Sequence, residues 1–340
     1  MRKLASIREI NAIHPIKGAD RIEIVVVDNW EVIAKKGLHK VGEHVVYFEI
    51  DSFLPVHDRY EFLRKSCFKS TNWGGDGFRL KTIRLRKQVS QGLVMPLSDF
   101  NEMDGKAYML GQDLTKLLNV KLYEPPLPAC LQGKARGNFP SFIRKTSQGR
   151  IQNKFSFLFK YQKRSGEFEV SLKLDGSSCT FYTNNGETGV CSRNINLKKD
   201  QEGNTFVDMF HTLDMEHKLW EAREVLGCNV AIQGELIGEG IQKNPDNIVG
   251  HEFYVFDIWD IDKQKYLNSE ERINFCEYIG LKHIPIKSII RITPETTFDE
   301  LMLLSETKGL NSDIAEGVVF KDINDGEVSF KAINNNYLLR

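Results

Sequence analysis

Cysteine is scarce in this chain and is never clustered. The 340 residues include six cysteines, and no two of them form a CxxC pair. This spacing argues against a zinc site and against a disulfide framework. We therefore expect reduced cysteines and an intracellular location, either cytoplasmic or nuclear. The cysteines are at positions 67, 130, 179, 191, 228 and 276.

Long apolar runs are also missing. No stretch approaches the roughly 20 apolar residues that a membrane-spanning helix needs, and the opening residues MRKLASIREI lack the apolar core of a signal peptide. The sequence is 41% hydrophobic and 27% charged, which is typical of a soluble globular protein, and its length suits two ordinary domains. We expect a soluble protein with no membrane partner.

The chain has no net charge, because 46 Lys and Arg balance 46 Asp and Glu. The distribution is nevertheless uneven: residues 121–170 carry ten basic and three acidic residues, whereas residues 171–340 carry 17 and 28. A local basic region could attract a polyanion although the total charge is zero. A solvated linker explains the same pattern equally well.

Short strands separated by turns dominate the first hundred residues. IEIVVVDNWEVIAKKG contains two apolar runs around Asp28–Asn29, which indicates a hairpin. VGEHVVYFEIDSFLP predicts a third strand, and GFRLKTIRLRKQVSQGLVMPL predicts two more, separated near residues 88–91. About five short strands in this length favour a small closed β-barrel such as an OB-fold.

Basic residues alternate along the predicted barrel strands. Arg79 and Lys81 fall on one strand face, and so do Arg84 and Arg86. Basic residues among β-formers on a small barrel fit a nucleic-acid-binding surface, and an ordinary charged outer face fits them as well. These four residues are our candidates for contact with nucleic acid.

A proline-rich stretch separates two halves of the chain. LYEPPLPACLQGKARGNFP contains four prolines and two glycines, which is typical of an interdomain linker. Beyond it, NVAIQGEL and HEFYVFDIWD predict strands, whereas TFVDMFHTLDMEHKLWEAREVLG and TFDELMLLSETKG predict helices. We predict an α+β protein with an OB-fold domain at 1–116, a linker at 117–140 and a mixed α/β domain at 141–340.

One lysine interrupts an apolar strand. In VSLKLDGSSCTFY, residues 170–182, Lys173 lies between apolar residues and is followed by Asp175 and Gly176. Dehydration in such a strand lowers the pKa of a lysine and exposes a nucleophilic amine, which covalent catalysis requires. The alternative is a structural lysine whose amine reaches water while its stem packs inside.

The order of the segments that follow favours the catalytic interpretation. CSRNINL places Arg193 on a second strand-like segment, and IQGELIGEGIQ places Glu235 in an apolar strand, where an unpaired carboxylate is costly. FYVFDIWD carries two aromatic residues on one strand face, including Phe256, which suit stacking on a base. AEGVVFKD contributes Glu316, and EVSFKAI contributes Lys331.

These segments resemble the motifs of the covalent nucleotidyltransferase superfamily, which contains ATP-dependent RNA and DNA ligases and mRNA capping enzymes. KLDGSS is similar to its nucleotidyl-lysine motif, and SRN, GELIG, FYVFDI, EGVVFK and SFKAI are similar to the later motifs in the same order. The resemblance covers residues 140–340. It implies an ATP-grasp-like ligase domain of antiparallel sheets with flanking helices.

The N-terminal barrel is similar to the OB module of Deinococcus- and Naegleria-type nick-sealing RNA ligases. KTSQGRIQN resembles the entry into the catalytic domain of that branch, although Ser147, Gln148 and Gly149 replace the acidic residues expected in its middle. DNA ligases and capping enzymes carry their OB domain after the fifth motif, whereas nine residues follow Lys331 here. We therefore expect the RNA ligase branch. Ile333 stands where related RNA ligases often have a second lysine.

The resemblance implies ATP and either Mg²⁺ or Mn²⁺ as cofactors, and a role for each motif residue. Lys173 would form a lysyl-AMP, Lys331 would neutralise the α-phosphate, and Arg193 would contact the ribose or the phosphates. The implied metal ligands are Asp175, Glu235 and Glu316. The implied nucleotide-binding residues are Leu172, Asp175, Gly176, Ser177, Arg193, Glu235, Phe256, Glu316, Lys331 and Gln152.

We expect an ATP-dependent RNA ligase that joins 5′-phosphate and 3′-hydroxyl ends at nicks in RNA or RNA/DNA hybrid duplexes, and that is a monomer. Two alternatives stay open. One is the same lysine chemistry in a DNA ligase or a guanylyltransferase, and the other is a non-catalytic RNA-binding protein built on the OB barrel. The presence of Lys173, Glu235, Glu316 and Lys331 argues against a decayed catalytic domain.

Overall fold

A computed structural model gives the fold, and it describes residues 3–71, 73–86, 88–103, 107–123, 134–155 and 166–339. The chain divides into two compact units, with the boundary between residues 127 and 128. Within the described ranges, no helix is both long and apolar enough to cross a membrane. The five cysteines in these ranges are buried and free of disulfide bonds. Cys130 lies outside them.

Antiparallel strands form most of the described part of the first unit, with one short α-helix at Arg64–Cys67 that directly follows a 3-10 helix at Asp58–Leu63. The strands are β1 Ala5–Pro15, β2 Ile22–Val27, β3 Trp30–Lys35, β4 His44–Phe48, β5 Ser52–Pro55, β6 Phe68–Thr71, β7 Gly75–Arg79, β8 Ile83–Leu85, β9 Gln88–Ser90, β10 Leu93–Pro96 and β11 Lys121–Leu122. They make a five-stranded sheet in the order β10-β4-β1-β2-β3, a four-stranded sheet in the order β11-β5-β7-β6, and the hairpin β8-β9.

The hairpin predicted at Asp28–Asn29 is confirmed. These two residues connect β2 to β3, and Val27 pairs with Trp30 across the loop. Asp28 has a φ of 53°, which is the left-handed conformation that two-residue hairpin loops use. Val25, Val27 and Trp30 are buried in one apolar cluster of the first unit.

The segment 75–96 is more divided than the sequence predicts. We expected two strands with a break near residues 88–91, and the structure has four short strands there, one of which is Gln88–Ser90. Strands of three residues contain too little alternation to be recognised from periodicity. The prediction of an all-strand N-terminal region is right, and the strand limits within this segment are wrong.

Two larger sheets form the second unit. Its strands are β12 Ala135–Asn138, β13 Gly149–Arg150, β14 Glu167–Lys173, β15 Ser177–Asn184, β16 Glu187–Ser192, β17 Ile195–Leu197, β18 Val230–Gly238, β19 His251–Asp260, β20 Lys265–Tyr266, β21 Ile286–Arg291, β22 Gly317–Asp322 and β23 Ser329–Ile333. One sheet has the order β12-β17-β16-β15-β18-β19-β20 and the other β13-β23-β22-β14-β21. The pairing of β13 with β23 is parallel.

Helices flank these sheets, which confirms the predicted α+β class. They span Thr205–Thr212, Met215–Leu226, Ser269–Tyr278, Phe298–Leu303 and Asn335–Leu338. The sequence predicted one helical segment where the first two helices lie, and Asp214, with a φ of 49°, separates them. The predicted capped helix is Phe298–Leu303, and Thr297 and Glu300 form its capping box.

The predicted linker 117–140 contains strands at both ends. β11 pairs with β5 in the first unit, and β12 pairs with β17 in the second. The middle of the linker, residues 124–133, lies outside the described residues. The predicted domain limits at residues 116 and 141 stay predictions.

A network of buried charges joins the two sheets of the second unit. Glu169 in β14 stands opposite Lys321 in β22. Lys321 donates to the carbonyl of Phe256 at 2.6 Å and to the carboxylate of Asp257, both in β19. Arg272, fully buried in a flanking helix, donates to both carboxylate oxygens of Glu169 at 2.6 Å each.

Opposite charges keep Glu169 of this network ionised in spite of burial. Burial acts to raise the pKa of Glu169, but the charges of Arg272 and Lys321 outweigh it and hold that pKa below its usual value. His283 accepts a hydrogen bond from Arg272 Nε at 2.9 Å, and burial together with the Arg272 charge lowers its pKa to about 4. His283 is therefore neutral at pH 7.

Substitution of Glu169 tests how much the network stabilises the fold. We expect Glu169→Ala to lower the free energy of unfolding by about 3–5 kcal/mol, because it leaves Arg272 buried without its carboxylate. Arg136→Ala is the control, since Arg136 and its partner Glu187 are exposed at 48% and 64%, and such pairs contribute about 1 kcal/mol or less. Urea unfolding measures both variants. Equal small losses would mean that the network contributes little.

Candidate active site

Lys173 is the last residue of β14. The register pairs it with Gly317 at the start of β22, so Glu316 lies beside it. Lys173 Nζ donates to Glu316 Oε2 at 2.6 Å, and the two side chains are 21% and 18% exposed. The sheet thus brings together two charged groups that are 143 residues apart in the chain.

The structure corrects our expectation about the pKa of Lys173. Burial acts to lower it, as expected, but the charges of Glu316 and Glu235 outweigh burial and raise the pKa above the usual lysine value. Lys173 is therefore protonated in the protein alone at neutral pH. Local sequence indicated the burial of the lysine, whereas the two carboxylates come from distant parts of the chain.

The Asp175–Gly176 turn ends β14 and approaches β18 closely. The N–H of Gly176 donates to Glu235 Oε1 at 3.1 Å. A Cβ atom at Gly176 would lie 2.4 Å from a backbone oxygen of β18 and 2.9 Å from Glu235 Cγ, so the close approach requires glycine. Asp175 accepts a hydrogen bond from the hydroxyl of Tyr337. The turn thus brings Asp175 and the neighbouring Glu235 close enough for both carboxylates to act electrostatically on Lys173, the candidate nucleophile.

Glu235 lies among other acidic groups. Burial and the charge of Glu316 raise its pKa to about 7, although Lys173 acts to lower it. Among the residues that the structure describes, no three acidic, histidine or cysteine side chains form a closed metal cage. The carboxylates fit a hard divalent cation that keeps water ligands and is held by one or two carboxylates together with substrate phosphates.

Positive groups collect near the lysine as well. Lys331 in β23 pairs with Arg150 in the parallel strand β13. Burial, together with the charges of Lys173 and Arg150, lowers the pKa of Lys331 to about 7. Arg193, exposed directly after β16, acts on Lys331 in the same direction. Because these cations repel one another, the arrangement favours an anion such as a phosphate group.

Two residues of this region were missed in the sequence. Arg150 belongs to the segment KTSQGRIQN, which we compared with ligases without assigning a role to its arginine. Its parallel pairing with Lys331 depends on which strands meet, and no local pattern indicates that. Tyr337 follows the last motif, in the helix Asn335–Leu338, and nothing in that segment points to Asp175.

The remaining nucleotide-binding candidates lie around the same strands. Gln152 is buried in a short turn, Ile151–Asn153, and its Oε1 has no hydrogen-bond partner within the described part of the chain. A buried acceptor of this kind is costly unless a ligand satisfies it. Phe256 is half-buried and packs against a cluster that includes Leu172. Ser177 begins β15.

The four candidates for nucleic-acid contact lie in the first unit. Arg79 ends β7, and Lys81 follows in an irregular segment. Arg84 lies in β8, and Arg86 follows it with a φ of 50°. The expected pairs on common strand faces are wrong, because Lys81 and Arg86 lie outside strands and the alternation rule does not apply to them. β7 and β8 also belong to different sheets.

The raised pKa of Glu235 predicts a pH-dependent stability. Its folded pKa of about 7 exceeds the ordinary 4.5, so between these pH values the unfolded chain has lost a proton that the folded protein keeps. Stability therefore falls as pH rises through this window. We expect Glu235→Gln to raise the melting temperature more at pH 8 than at pH 5.5, measured without ligand.

Glu252→Gln provides the matched control. The hydrogen bond from Tyr254 lowers the pKa of Glu252 below 4.5. The ionised Glu252 therefore stabilises the wild type fully at both pH values, and Glu252→Gln removes this effect equally at both. A melting-temperature change for Glu235→Gln that is the same at pH 5.5 and pH 8 would contradict the assignment of a titrating, buried Glu235.

Comparisons with known proteins identify both parts of the chain. A family model described as RNA ligase matches residues 166–333, and one described as OB-fold domain matches residues 4–97. A search of curated proteins gave no match.

Solved structures of Naegleria gruberi RNA ligase are similar to the chain over almost its whole length. A variant with AMP and Mn, and the protein with pyrophosphate, each share 40% identity, with 99% of this chain and 98% of theirs covered at a TM-score of 0.85. Another variant, with ATP and Mn, has the same identity and coverage at a TM-score of 0.84. These matches confirm the predicted family and the predicted OB-fold, and the chain belongs to the RNA ligase family.

Proposed function

We propose that this ATP-dependent RNA ligase joins 5′-phosphate and 3′-hydroxyl ends at nicks in RNA or RNA/DNA hybrid duplexes, through a covalent lysyl-AMP. The observation that carries the proposal is the contact of Lys173 with Glu316 at 2.6 Å, in a site where the charge of Glu235 acts on Lys173 and that of Lys173 acts on Lys331. The similar Naegleria structures contain ATP or AMP with Mn. ATP and a divalent cation, Mg²⁺ or Mn²⁺, are the cofactors that these relatives and the donor set support.

In the first step the amine of Lys173 attacks the α-phosphorus of ATP. A P–N bond forms, the bond to the bridging oxygen of the β-phosphate breaks, and pyrophosphate leaves. The amine must give up a proton, and Glu316 Oε2, which already accepts its hydrogen bond, is positioned to receive it. One or two of Asp175, Glu235 and Glu316, together with the phosphates of ATP, would hold a divalent cation, whose positive charge would offset these carboxylates and favour the neutral amine.

Positive side chains bind the phosphates during this step. In the protein alone, burial together with the charges of Lys173, Arg150 and Arg193 lowers the pKa of Lys331 to about 7. A bound phosphate reverses this effect and keeps Lys331 protonated. The charge that develops on the α-phosphate then meets preorganised cations. Gln152 and Phe256 would contact the adenine, by hydrogen bond and by stacking.

In the later steps AMP leaves the lysine. The 5′-phosphate of one RNA end attacks the phosphorus of lysyl-AMP, so that the P–N bond breaks and a pyrophosphate linkage forms between RNA and AMP. The 3′-hydroxyl of the other end then attacks the RNA 5′-phosphorus, forms the phosphodiester and releases AMP. Cleavage of the P–N bond leaves Lys173 with a free amine, which takes up a proton before the next ATP binds.

The preference for nicks is supported by the resemblance of the N-terminal unit to the OB module of nick-sealing ligases. Sealing rates on nicked duplexes, with RNA or DNA on each side, compared with rates on single-stranded ends measure this preference. Equal rates would overturn it. A monomeric state and an intracellular location stay predictions.

We expect Lys173→Ala to abolish formation of the enzyme–AMP adduct. The measurement is transfer of label from [α-³²P]ATP to the protein on a denaturing gel, with GTP in parallel. Lys287→Ala, an exposed lysine on the edge strand β21, is the control and should label like the wild type. Labelling of the Lys173 variant at the wild-type yield, or labelling of the wild type by GTP alone, would contradict the proposal.

We expect Glu316→Gln to slow enzyme–AMP formation by about 100-fold or more while the protein stays folded. An amide neither accepts the proton from Lys173 nor binds a hard cation well. Glu306→Gln is the control, because Glu306 is exposed. The rate of label transfer in single-turnover reactions is the measurement. A near-normal rate for the Glu316 variant would show that its role is structural.

A further inference from the structure

The outer face of the four-stranded sheet in the first unit carries an aligned row of one aromatic and two basic residues. Phe53 in the central strand β5 pairs with Arg79 in β7 on one side and with Lys121 in β11 on the other. Residues directly opposite in paired strands point to the same face of a sheet. The next pair along, Leu54 and Phe78, points to the other face and is buried in the core.

Two further rings extend this face. Trp73 and Tyr123 follow strands β6 and β11, and their ring centroids lie 5.2 Å and 5.9 Å from that of Phe53 and 6.0 Å from each other. Phe53 is 2% exposed, whereas Trp73 is 39% exposed. Phe53 is therefore the buried ring of the cluster, Trp73 is its exposed ring, and Tyr123 is half-buried.

Glycine makes room for this arrangement. A Cβ atom at Gly77 would lie 2.7 Å from Cζ of Phe53, so the ring of Phe53 rests directly on strand β7. Gly74 is similarly close, with a Cβ distance of 3.1 Å to the same ring. The sequence WGGDGF thus supplies both the exposed tryptophan and the glycines that let the rings lie against the sheet.

Basic groups surround the rings. The guanidinium carbon of Arg79 lies 4.2 Å from the centroid of Tyr123, and Arg79 Nη2 lies 3.6 Å from Asp51 Oδ1. Lys121 is exposed, and so is Lys69, which pairs with Gly77 and shares the face. Exposed aromatic rings beside basic side chains are the arrangement by which proteins stack nucleobases and contact the adjoining phosphates.

We propose that this face, formed by Phe53, Lys69, Trp73, Arg79, Lys121 and Tyr123, binds an RNA strand through an unpaired nucleotide. The base stacks on Trp73 or Tyr123, and the basic residues contact neighbouring phosphates. An unpaired nucleotide is required because in a continuous duplex both faces of each base are covered by its neighbours. The inference rests on the proposed function, since RNA is the substrate, and adds that the substrate carries an unpaired nucleotide in addition to the nicked duplex.

Tryptophan fluorescence of the full chain reports on the stack. Trp30 and Trp259 are buried and Trp220 is half-buried, so Trp73 is the most exposed tryptophan among the described residues. We expect a single-stranded RNA 12-mer to quench the emission, and the same sequence in a blunt, fully paired duplex to quench it much less. The difference between the two RNAs should disappear in Trp73→Leu and remain in Trp220→Leu.

Binding of the same RNA, followed by fluorescence anisotropy of a labelled strand, gives the energetic test. We expect Trp73→Leu and Tyr123→Leu to weaken single-strand binding by about fivefold or more, and Trp73→Phe to weaken it less. Lys121→Glu leaves the rings in place and should reduce both affinity and the dependence on salt. Melting temperatures of all variants establish that the fold is kept.

Label transfer from ATP separates this proposal from the proposed function. Trp73→Leu should form the enzyme–AMP adduct at the wild-type rate while it loses RNA affinity. Wild-type protein that binds RNA but forms no adduct would overturn the proposed function and leave the RNA face standing. Wild-type affinity for single strands in both Trp73→Leu and Lys121→Glu, or an equal loss for single strands and paired duplexes, would overturn the RNA face.

Discussion

The ion pair between Lys173 and Glu316 is the interaction on which the site depends. A charged pair that is largely withdrawn from water is stable only while both partners stay together, because an uncompensated buried charge costs several kcal/mol. The pair forms only if β14 and β22 meet in one register. A slip by one residue would turn every side chain of the strand to the opposite face and separate the two groups.

The same register is stabilised a second time within the sheet. Glu169 lies four residues before Lys173 on β14, so the two point to the same face, and it stands opposite Lys321 of β22. Lys321 also binds the carbonyl of Phe256. One buried network of charges therefore connects three strands: β14, which carries Lys173, β22, which directly follows Glu316, and β19, which carries Phe256.

Glycine permits close approach in both units. Gly176 allows the turn after Lys173 to donate to Glu235, and Gly77 allows Phe53 to rest on a neighbouring strand. In each case an added methyl group would collide with an atom less than 3 Å away. Gly176 follows Lys173 and Asp175, and Gly77 precedes Arg79, so each glycine lies within three residues of a charged side chain that acts at the site or on the face.

Local sequence determined a large part of this protein. The hairpin at Asp28–Asn29 and the capped helix at Phe298–Leu303 depend on residue types within a few positions of one another, and both are confirmed. The lysine in an apolar strand and the order of the segments after it were also recognised from the sequence, because they combine strand periodicity with the chemistry of single residues. These features predicted the fold class, and the resemblance of the motifs to those of known ligases predicted the family.

Tertiary structure alone decided how the charged groups act on one another. Burial of Lys173 was predicted, but its pKa is raised because Glu316 and Glu235 approach it from distant parts of the chain. Arg150 joins the site through a parallel pairing with Lys331, and Arg79 lies on a different sheet from Arg84. A short window of sequence shows which face of a strand a side chain occupies, and it carries no information on which distant strand will pair with it. The sign of an electrostatic effect depends on that partner, so it becomes known only when the sheets are assembled.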